Sequence, residues 1–236
     1  MASREHTPQT VLRIGHRGAA GHAPENTLAA IRKGIALNVD FVEIDLRCTA
    51  DNVLILLHDE TVDRTTDGQG RVDRLTLRDL RKVKAANGEQ IPTLEEALHT
   101  IAGQTGLMLE LKVGGVAQQA VETVRRAGFK APLIYASFLH DELTQVREVE
   151  PDASLMALFG RLPRTPVAHA MKYRLSHVGL RHDRADRSLV GAFHRAGLLV
   201  FVYTADSPRD IRQALAIDID GVISNYPDRI PNSTGS

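Results

Sequence analysis

Short runs of β-branched and leucine-type residues alternate with helically periodic segments along nearly the whole chain, and this alternation restricts the fold more than any other feature. The runs lie at 11–14, 41–46, 107–111, 133–136, 155–159, 178–180, 199–203 and 221–224, which predicts eight strands. Between them apolar residues recur three and four apart, as in Leu28, Ile31 and Ile35. Start and stop signals frame these segments. Thr93 and Glu96 have capping-box spacing, Ser207-Pro208 sets a cap before a first-turn proline, and Gly128 and Gly197 sit where a left-handed residue ends a helix. Strands separated by helices run parallel, because each helix returns the chain to the same edge of the sheet. A chain of 236 residues is close to the length typical of one α/β barrel. The expectation is a single parallel barrel over 1–236.

A ninth run, 53–57, follows the second strand too closely for a crossover, which needs about a dozen residues. It is predicted to fold back as an antiparallel arm, turning at Ala50-Asp51-Asn52. The arm and the Asp-, Arg-, Thr- and Gly-rich stretch behind it form an insertion over 47–92, between the second strand and its helix. After Ser224 too little chain remains for more than a short eighth helix, and 232–236 reads as a polar, fraying tail. Its Asn232-Ser233-Thr234 sequon has no meaning in a chain without a secretion signal.

Composition narrows the partners. The 29 basic and 29 acidic residues cancel, so no polyanion-binding surface, and hence no nucleic-acid partner, is expected. No apolar stretch approaches the roughly 20 residues that span a bilayer, and the polar start lacks a signal peptide. The single Cys48 excludes a disulfide framework and a multi-thiolate zinc site. A cytoplasmic protein without stable membrane insertion, monomer or homodimer, is the expectation.

In a parallel barrel, chemistry gathers where strands end. The first strand here runs into Gly15-His16-Arg17-Gly18, the second carries Glu43-Ile44-Asp45, the third Glu110-Leu111-Lys112, and the arm ends in His58-Asp59. Residues two apart on a strand share a face, so Glu43 and Asp45 point together, as do Glu110 and Lys112. Three carboxylates converging at one mouth repel unless a cation or several donors hold them. Oxygen ligands without nearby thiolates select a hard divalent cation, Mg²⁺, Ca²⁺ or Mn²⁺. Arg17 and Lys112 add positive charge suited to phosphate oxygens. Phosphodiester cleavage needs one base and one acid, and His16 and His58 flank the same site. His58 faces the carboxylates only if it lies opposite Asp45 on the arm; opposite Ile44 it would turn away.

Each element has a plainer reading. Glu-x-Asp on a strand also marks a solvated edge, Glu110 and Lys112 can pair with each other, and His58 can be an ordinary loop residue. The joint pattern decides, because unpartnered charge at buried strand ends costs several kcal/mol. Of the other histidines, His6, His99, His140, His169 and His194 are expected to be solvated, while His22 and His182 lie near enough to the mouth to touch substrate.

These residues resemble the glycerophosphodiester phosphodiesterases, close in size to the short cytoplasmic bacterial members. The likeness runs through His16-Arg17-Gly18, Pro24-Glu25-Asn26-Thr27, Glu43-Ile44-Asp45, His58-Asp59 with Arg64-Thr65-Thr66, Glu110-Leu111-Lys112, Ser137-Phe138 and the segment from Asp220 to Asp228. The resemblance implies a (β/α)8 TIM barrel, metal ligation by Glu43, Asp45 and Glu110, acid–base roles for His16 and His58, and phosphate contacts from Arg17 and Lys112. It also implies hydrolysis of small glycerophosphodiesters to sn-glycerol 3-phosphate and an alcohol such as choline or ethanolamine. Two positions depart from the pattern. Tyr203 stands where the family usually has Trp, in the wall that would receive the alcohol, and Ser224-Asn225 replaces a frequent Thr-Asp. Two rivals within this scaffold are a lysophospholipase D-like enzyme, which needs an apolar groove that 4% aromatic residues scarcely build, and an inactive phosphometabolite-binding barrel, which would have lost a ligand. An unrelated activity is the third, since fold does not fix function.

Overall fold

A strand that must face apolar helices on one side and a packed interior on the other carries apolar residues on both faces, and the eight predicted strands meet that demand. The computed structural model describes residues 11–231. The predicted fraying tail, its sequon and His6 lie outside the described residues. The strands are β1 (Leu12–Gly15), β2 (Phe41–Cys48), β3 (Leu54–Leu56), β4 (Gly106–Leu111), β5 (Leu133–Ser137), β6 (Ser154–Phe159), β7 (His177–Arg181), β8 (Leu199–Tyr203) and β9 (Gly221–Ser224). The helices are α1 (Leu28–Ala36), α2 (Leu77–Leu80), α3 (Leu94–Ile101), α4 (Ala117–Arg126), α5 (His140–Val149), α6 (Pro166–Lys172), α7 (Arg187–Arg195) and α8 (Pro208–Leu215). Pairing is parallel in the order β1-β9-β8-β7-β6-β5-β4-β2, and β1 also pairs with β2, so the sheet closes into a (β/α)8 TIM barrel. Among the described residues, only a 3-10 turn, Pro227–Arg229, follows β9.

The cap signals act as their chemistry requires. Thr93 and Glu96 satisfy each other's backbone N–H groups at the start of α3, Ser207 caps α8, and Gly128 and Gly197 take positive φ of 65° and 78°. A cap of this kind stabilises a helix by about 1 kcal/mol. Gly18 is held more tightly still: its φ is 90°, and a Cβ there would lie 2.5 Å from the Ala30 carbonyl carbon. That close approach lets the loop after β1 bend directly over α1.

Alternation along the strands then sets which side chains enter the barrel. Ile14, Phe41, Met108, Ile134, Met156 and Phe201 form an interior cluster, while Val42, Ile44, Leu109 and Val200 belong to the larger one beneath the helices. Counting by twos from Phe41 and Met108 brings Glu43, Asp45, Glu110 and Lys112 onto the inward face above this apolar floor. Asp45 is level with Glu110 in the β2–β4 ladder.

The arm, β3, pairs antiparallel with the far end of β2, as Leu46 with Leu56 and Cys48 with Leu54. Continued past Leu56, this register would set His58 against Ile44, the phase expected to turn it away from the carboxylates. The chain leaves the ladder first. Leu57 N–H still donates to Asp45 O at 3.1 Å, but Arg47 Nε then donates to His58 O at 2.9 Å, and the His58 imidazole lies where the Asp45 charge acts on it. The facing of His58 is not set by the register, because strand alternation stops where the strand does. Behind the arm, Ile55, Leu57, Val62, Val72, Leu80 and Ile91 form a separate small core.

Candidate active site

Three carboxylates crowd the C-terminal end of the barrel. Glu43, Asp45 and Glu110 are buried and offer ligand oxygens that all lie within 4.8 Å of one another. Burial, reinforced by Asp45 and Glu110, pushes Glu43 well above the usual carboxylate range. Burial also pushes Glu110 up to about 7, aided by Asp45 and opposed by Lys112. Asp45 goes the other way. Burial raises it, but Lys112, Arg17 and the Asn26 amide together outweigh burial and hold its carboxyl below the ordinary value. One acid of the cluster is thus kept ionised while its neighbours resist ionisation, as expected where like charges share a dry site.

The cations are built from the same strand ends. Lys112 Nζ lies 2.6 Å from Glu110 Oε1 and 3.5 Å from Asp45 Oδ1. The pairing of Lys112 with Glu110 foreseen as the plainer reading therefore exists, but within the cluster rather than apart from it. Arg17, at φ 51°, donates its backbone N–H to Glu43 Oε2 at 2.7 Å and its Nη1 to Glu25 Oε1 at 2.7 Å. Its Nε sits 3.3 Å from Asp45 Oδ2, too poorly aligned to form a hydrogen bond.

Asn26 has a role that no motif spacing announces. Its amide donates to Asp45 Oδ2 at 2.8 Å and accepts from Asp45 N–H at 3.0 Å, so the side chain grips both the carboxylate and the backbone of Asp45. After these contacts, Glu43 Oε1 and Asp45 Oδ1 remain buried without a hydrogen-bond partner. An orphaned buried carboxylate oxygen is costly, and two of them aimed into one acidic cluster fit a hard divalent cation. Glu43, Asp45 and Glu110 could hold it.

The two histidines are oriented by different partners. His16 Nδ1 lies 2.8 Å from Asn225 Oδ1, and the Asn225 amide is pinned by Asp206, which accepts from Asn225 Nδ2, Asn225 N–H and Ser224 Oγ. Since an amide oxygen only accepts, His16 carries its proton on Nδ1 and leaves the Nε2 lone pair free, 4.0 Å from Glu43 Oε2. Burial, with Arg17 nearby, lowers His16 to about 4. His58 Nδ1 instead meets a carboxylate, Asp59 Oδ1, at 2.6 Å. Arg64 bridges Asp59 to Glu25, which in turn holds Arg17, so the arm and the loop after β1 are tied by one ionic chain. His58 is also lowered by burial, against the pull of Asp45 and Asp59. Sequence reasoning named Glu25 and Arg64 only within motifs; their pairing spans 39 residues and leaves no local pattern.

Tyr203 and Phe138 form the wall opposite the carboxylates, with ring centroids 5.9 Å apart at nearly right angles. Tyr203 OH donates to Phe159 O at 2.9 Å, and Lys112 Nζ lies 5.7 Å from the Phe138 ring centre. The space between wall and carboxylates is small, about 30 Å³. A larger cavity of about 550 Å³ opens between the C-terminal ends of α3 and α4, on the opposite face of the barrel and away from this chemistry. The remaining histidines are partnered more than expected: His140 Nδ1 lies 2.7 Å from His169 Nε2, and His194 Nε2 lies 2.8 Å from Asp220 Oδ2. His22 pairs with Asp228, and His182 sits in a 3-10 turn after β7. Among the described residues, no helix is long and apolar enough to cross a membrane.

Comparison with known proteins agrees with this geometry. The sequence pattern of the Glycerophosphoryl diester phosphodiesterase family matches residues 16–229. A glycerophosphodiester phosphodiesterase of Caldanaerobacter subterraneus subsp. tengcongensis is 30% identical over 94% of this chain and 96% of its own. An Oleispira antarctica phosphodiesterase, solved with the product sn-glycerol-3-phosphate, superposes with a TM-score of 0.89 at 28% identity, covering 94% of this chain and 95% of that one. A glycerophosphodiester phosphodiesterase of Agrobacterium tumefaciens superposes with a TM-score of 0.82 at 28% identity over 93% and 99% of the two chains. With its barrel, its acidic cluster and a family match that begins at His16 and runs almost to the end of the described residues, the chain belongs to the glycerophosphoryl diester phosphodiesterase family.

Proposed function

We propose that the protein hydrolyses small glycerophosphodiesters, such as glycerophosphocholine and glycerophosphoethanolamine, to sn-glycerol 3-phosphate and the free alcohol, using one divalent cation. The observation that carries this reading is the buried trio of carboxylates with two orphaned oxygens, flanked by two histidines with different orienting partners. The Oleispira antarctica relative, solved with sn-glycerol-3-phosphate as its product, supports the choice of substrate.

Glu43, Asp45 and Glu110 would hold Mg²⁺, Ca²⁺ or Mn²⁺, which supplies Lewis-acid polarisation of the phosphate. Arg17 and Lys112 balance the charge that grows on the phosphoryl oxygens. His16, neutral and with a free Nε2 lone pair, is the base that takes a proton from the attacking oxygen. That oxygen is either the glycerol 2-hydroxyl, which gives a cyclic phosphate that water then opens, or water itself. His58, backed by the Asp59 carboxylate, is the acid that protonates the departing alcohol. The split follows from the partners, since a carboxylate stabilises an imidazolium and an amide oxygen does so far less. Tyr203 forms the wall against which the alcohol lies. A cytoplasmic setting, as monomer or homodimer, belongs to the same reading and is compatible with the lone Cys48.

A second reading, lysophospholipase D-like action on lipid diesters, is favoured by Phe138 and Leu139, which stand 42% and 45% exposed at the mouth. One assay separates the two. Metal-stripped protein is given glycerophosphocholine, glycerophosphoethanolamine or lysophosphatidylcholine, and Mg²⁺, Ca²⁺ or Mn²⁺ is restored in turn. Release of sn-glycerol 3-phosphate only after a cation is added is the expected result, and cation-independent hydrolysis would refute it.

A further inference from the structure

Beside the Phe138–Tyr203 wall lies a cavity of about 410 Å³ that the catalytic reading leaves unused. Phe159, Gly160, Arg161, Leu162, Arg181 and Arg184 line it. It adjoins the wall through the Tyr203 hydroxyl, which is bonded to Phe159 O at 2.9 Å, and through Arg181, the partner of Tyr203 in the β7–β8 ladder. Three arginines therefore line a cavity that adjoins the wall proposed to receive the leaving alcohol. No carboxylate lines the cavity, and Asp183 beside it has both of its oxygens taken by Arg181, at 3.0 and 2.8 Å. Among the described residues, Arg161 and Arg184 make no ion pair. Three cations against one paired carboxylate leave a local excess of two positive charges, in a chain whose total charge is zero.

A quaternary ammonium group is held by aromatic faces or carboxylates, and this cavity offers it cations. Guanidinium groups are instead matched to phosphate oxygens, which accept their paired N–H donors. We propose that the cavity is the subsite for the alcohol half of the substrate, and that it selects an alcohol carrying its own phosphoryl anion over choline or ethanolamine. The proposal rests on the glycerophosphodiesterase reading and names the substrate class of that site.

The test compares kcat/KM for glycerophosphoinositol 4-phosphate, whose alcohol bears a phosphate monoester, bis(glycerophospho)glycerol, whose alcohol bears a diester, and glycerophosphocholine, all with the cation restored. At low ionic strength at least one anionic diester is expected to exceed glycerophosphocholine by about tenfold, and the advantage should shrink as salt is added. In the double variant Arg161→Ala, Arg184→Ala this ratio should fall by about tenfold, and in Arg184→Glu it should fall further. Glycerophosphocholine matching or exceeding both anionic diesters overturns the subsite, as does a preference that survives the double variant. Failure to hydrolyse any of the three, glycerophosphocholine included, overturns the underlying reading and the subsite with it.

Discussion

Exchanging the side chains at 206 and 225 tests how His16 is tuned. In the native arrangement a carboxylate, Asp206, sits behind an amide, Asn225, which presents its oxygen to His16 at 2.8 Å. The double variant Asp206→Asn, Asn225→Asp keeps every donor opposite an acceptor but moves the charge next to the imidazole. A hydrogen bond to a charged group stabilises by about 1.5–3 kcal/mol and a neutral one by about 0.5–1.5; the neutral ring keeps the same Nδ1–H bond, so the imidazolium gains over it by at most about 1–1.5 kcal/mol. That is a rise of up to about one pKa unit, from the value of about 4 that burial imposes. With His16 acting as a base, kcat/KM falls as pH drops through its pKa, so the acid limb of the pH profile should move up by up to about one unit in the double variant. The single variant Asn225→Asp places two carboxylates where a 2.7 Å hydrogen bond now stands, and should lose about 1–3 kcal/mol of stability in urea titrations. A double variant that is folded and active, with an acid limb coinciding with the parent's, would refute the assignment of Asn225 as the group that sets the protonation of His16.

Three further outcomes are expected. His16→Ala and His58→Ala should each lower kcat by about 10²–10⁴-fold with little change in melting temperature, and full activity in either would remove it from the acid–base pair. His177, buried at the start of β7 and lowered to about 4 by its burial, stays neutral in the fold while the unfolded chain titrates near 6.5. Stability from this residue is therefore complete above about pH 6.5 and is lost as pH falls toward 4, by up to about 3 kcal/mol; His177→Gln should flatten the urea midpoint against pH over that window, and an unchanged slope would contradict this. Gly18→Ala forces a Cβ to within 2.5 Å of Ala30 at a φ of 90° and should cost about 2–4 kcal/mol in thermal melts; a loss below about 1 kcal/mol would show that the loop has room to shift.

The barrel was legible because its two signals are local. Residues 199–203 and 221–224 coincide with β8 and β9, and every other run falls within one or two residues of a strand, since burial on both faces writes a continuous apolar run. The inward placement of Glu43, Asp45, Glu110 and Lys112 followed from alternation alone. The contacts that orient them did not, because Asn26 meets Asp45 from 19 residues away and Asn225 meets His16 from 209, and neither distance leaves a periodic trace. The arm was foreseen from its closeness to β2, but its register was not, since the rule for a strand says nothing about the two residues after its last rung.

His58 follows the arm, whose Leu54 and Leu56 pack in the main core while Ile55 and Leu57 join Val62, Val72, Leu80 and Ile91 in a small core of their own. The proposed proton donor is thus mounted on an appendage joined to the main body by the β2–β3 ladder and by the Glu25–Arg64–Asp59 clasp. Loosening that appendage would leave the barrel's heat signature intact while turnover ceases. Loss of catalysis on warming should therefore precede collapse of the scaffold.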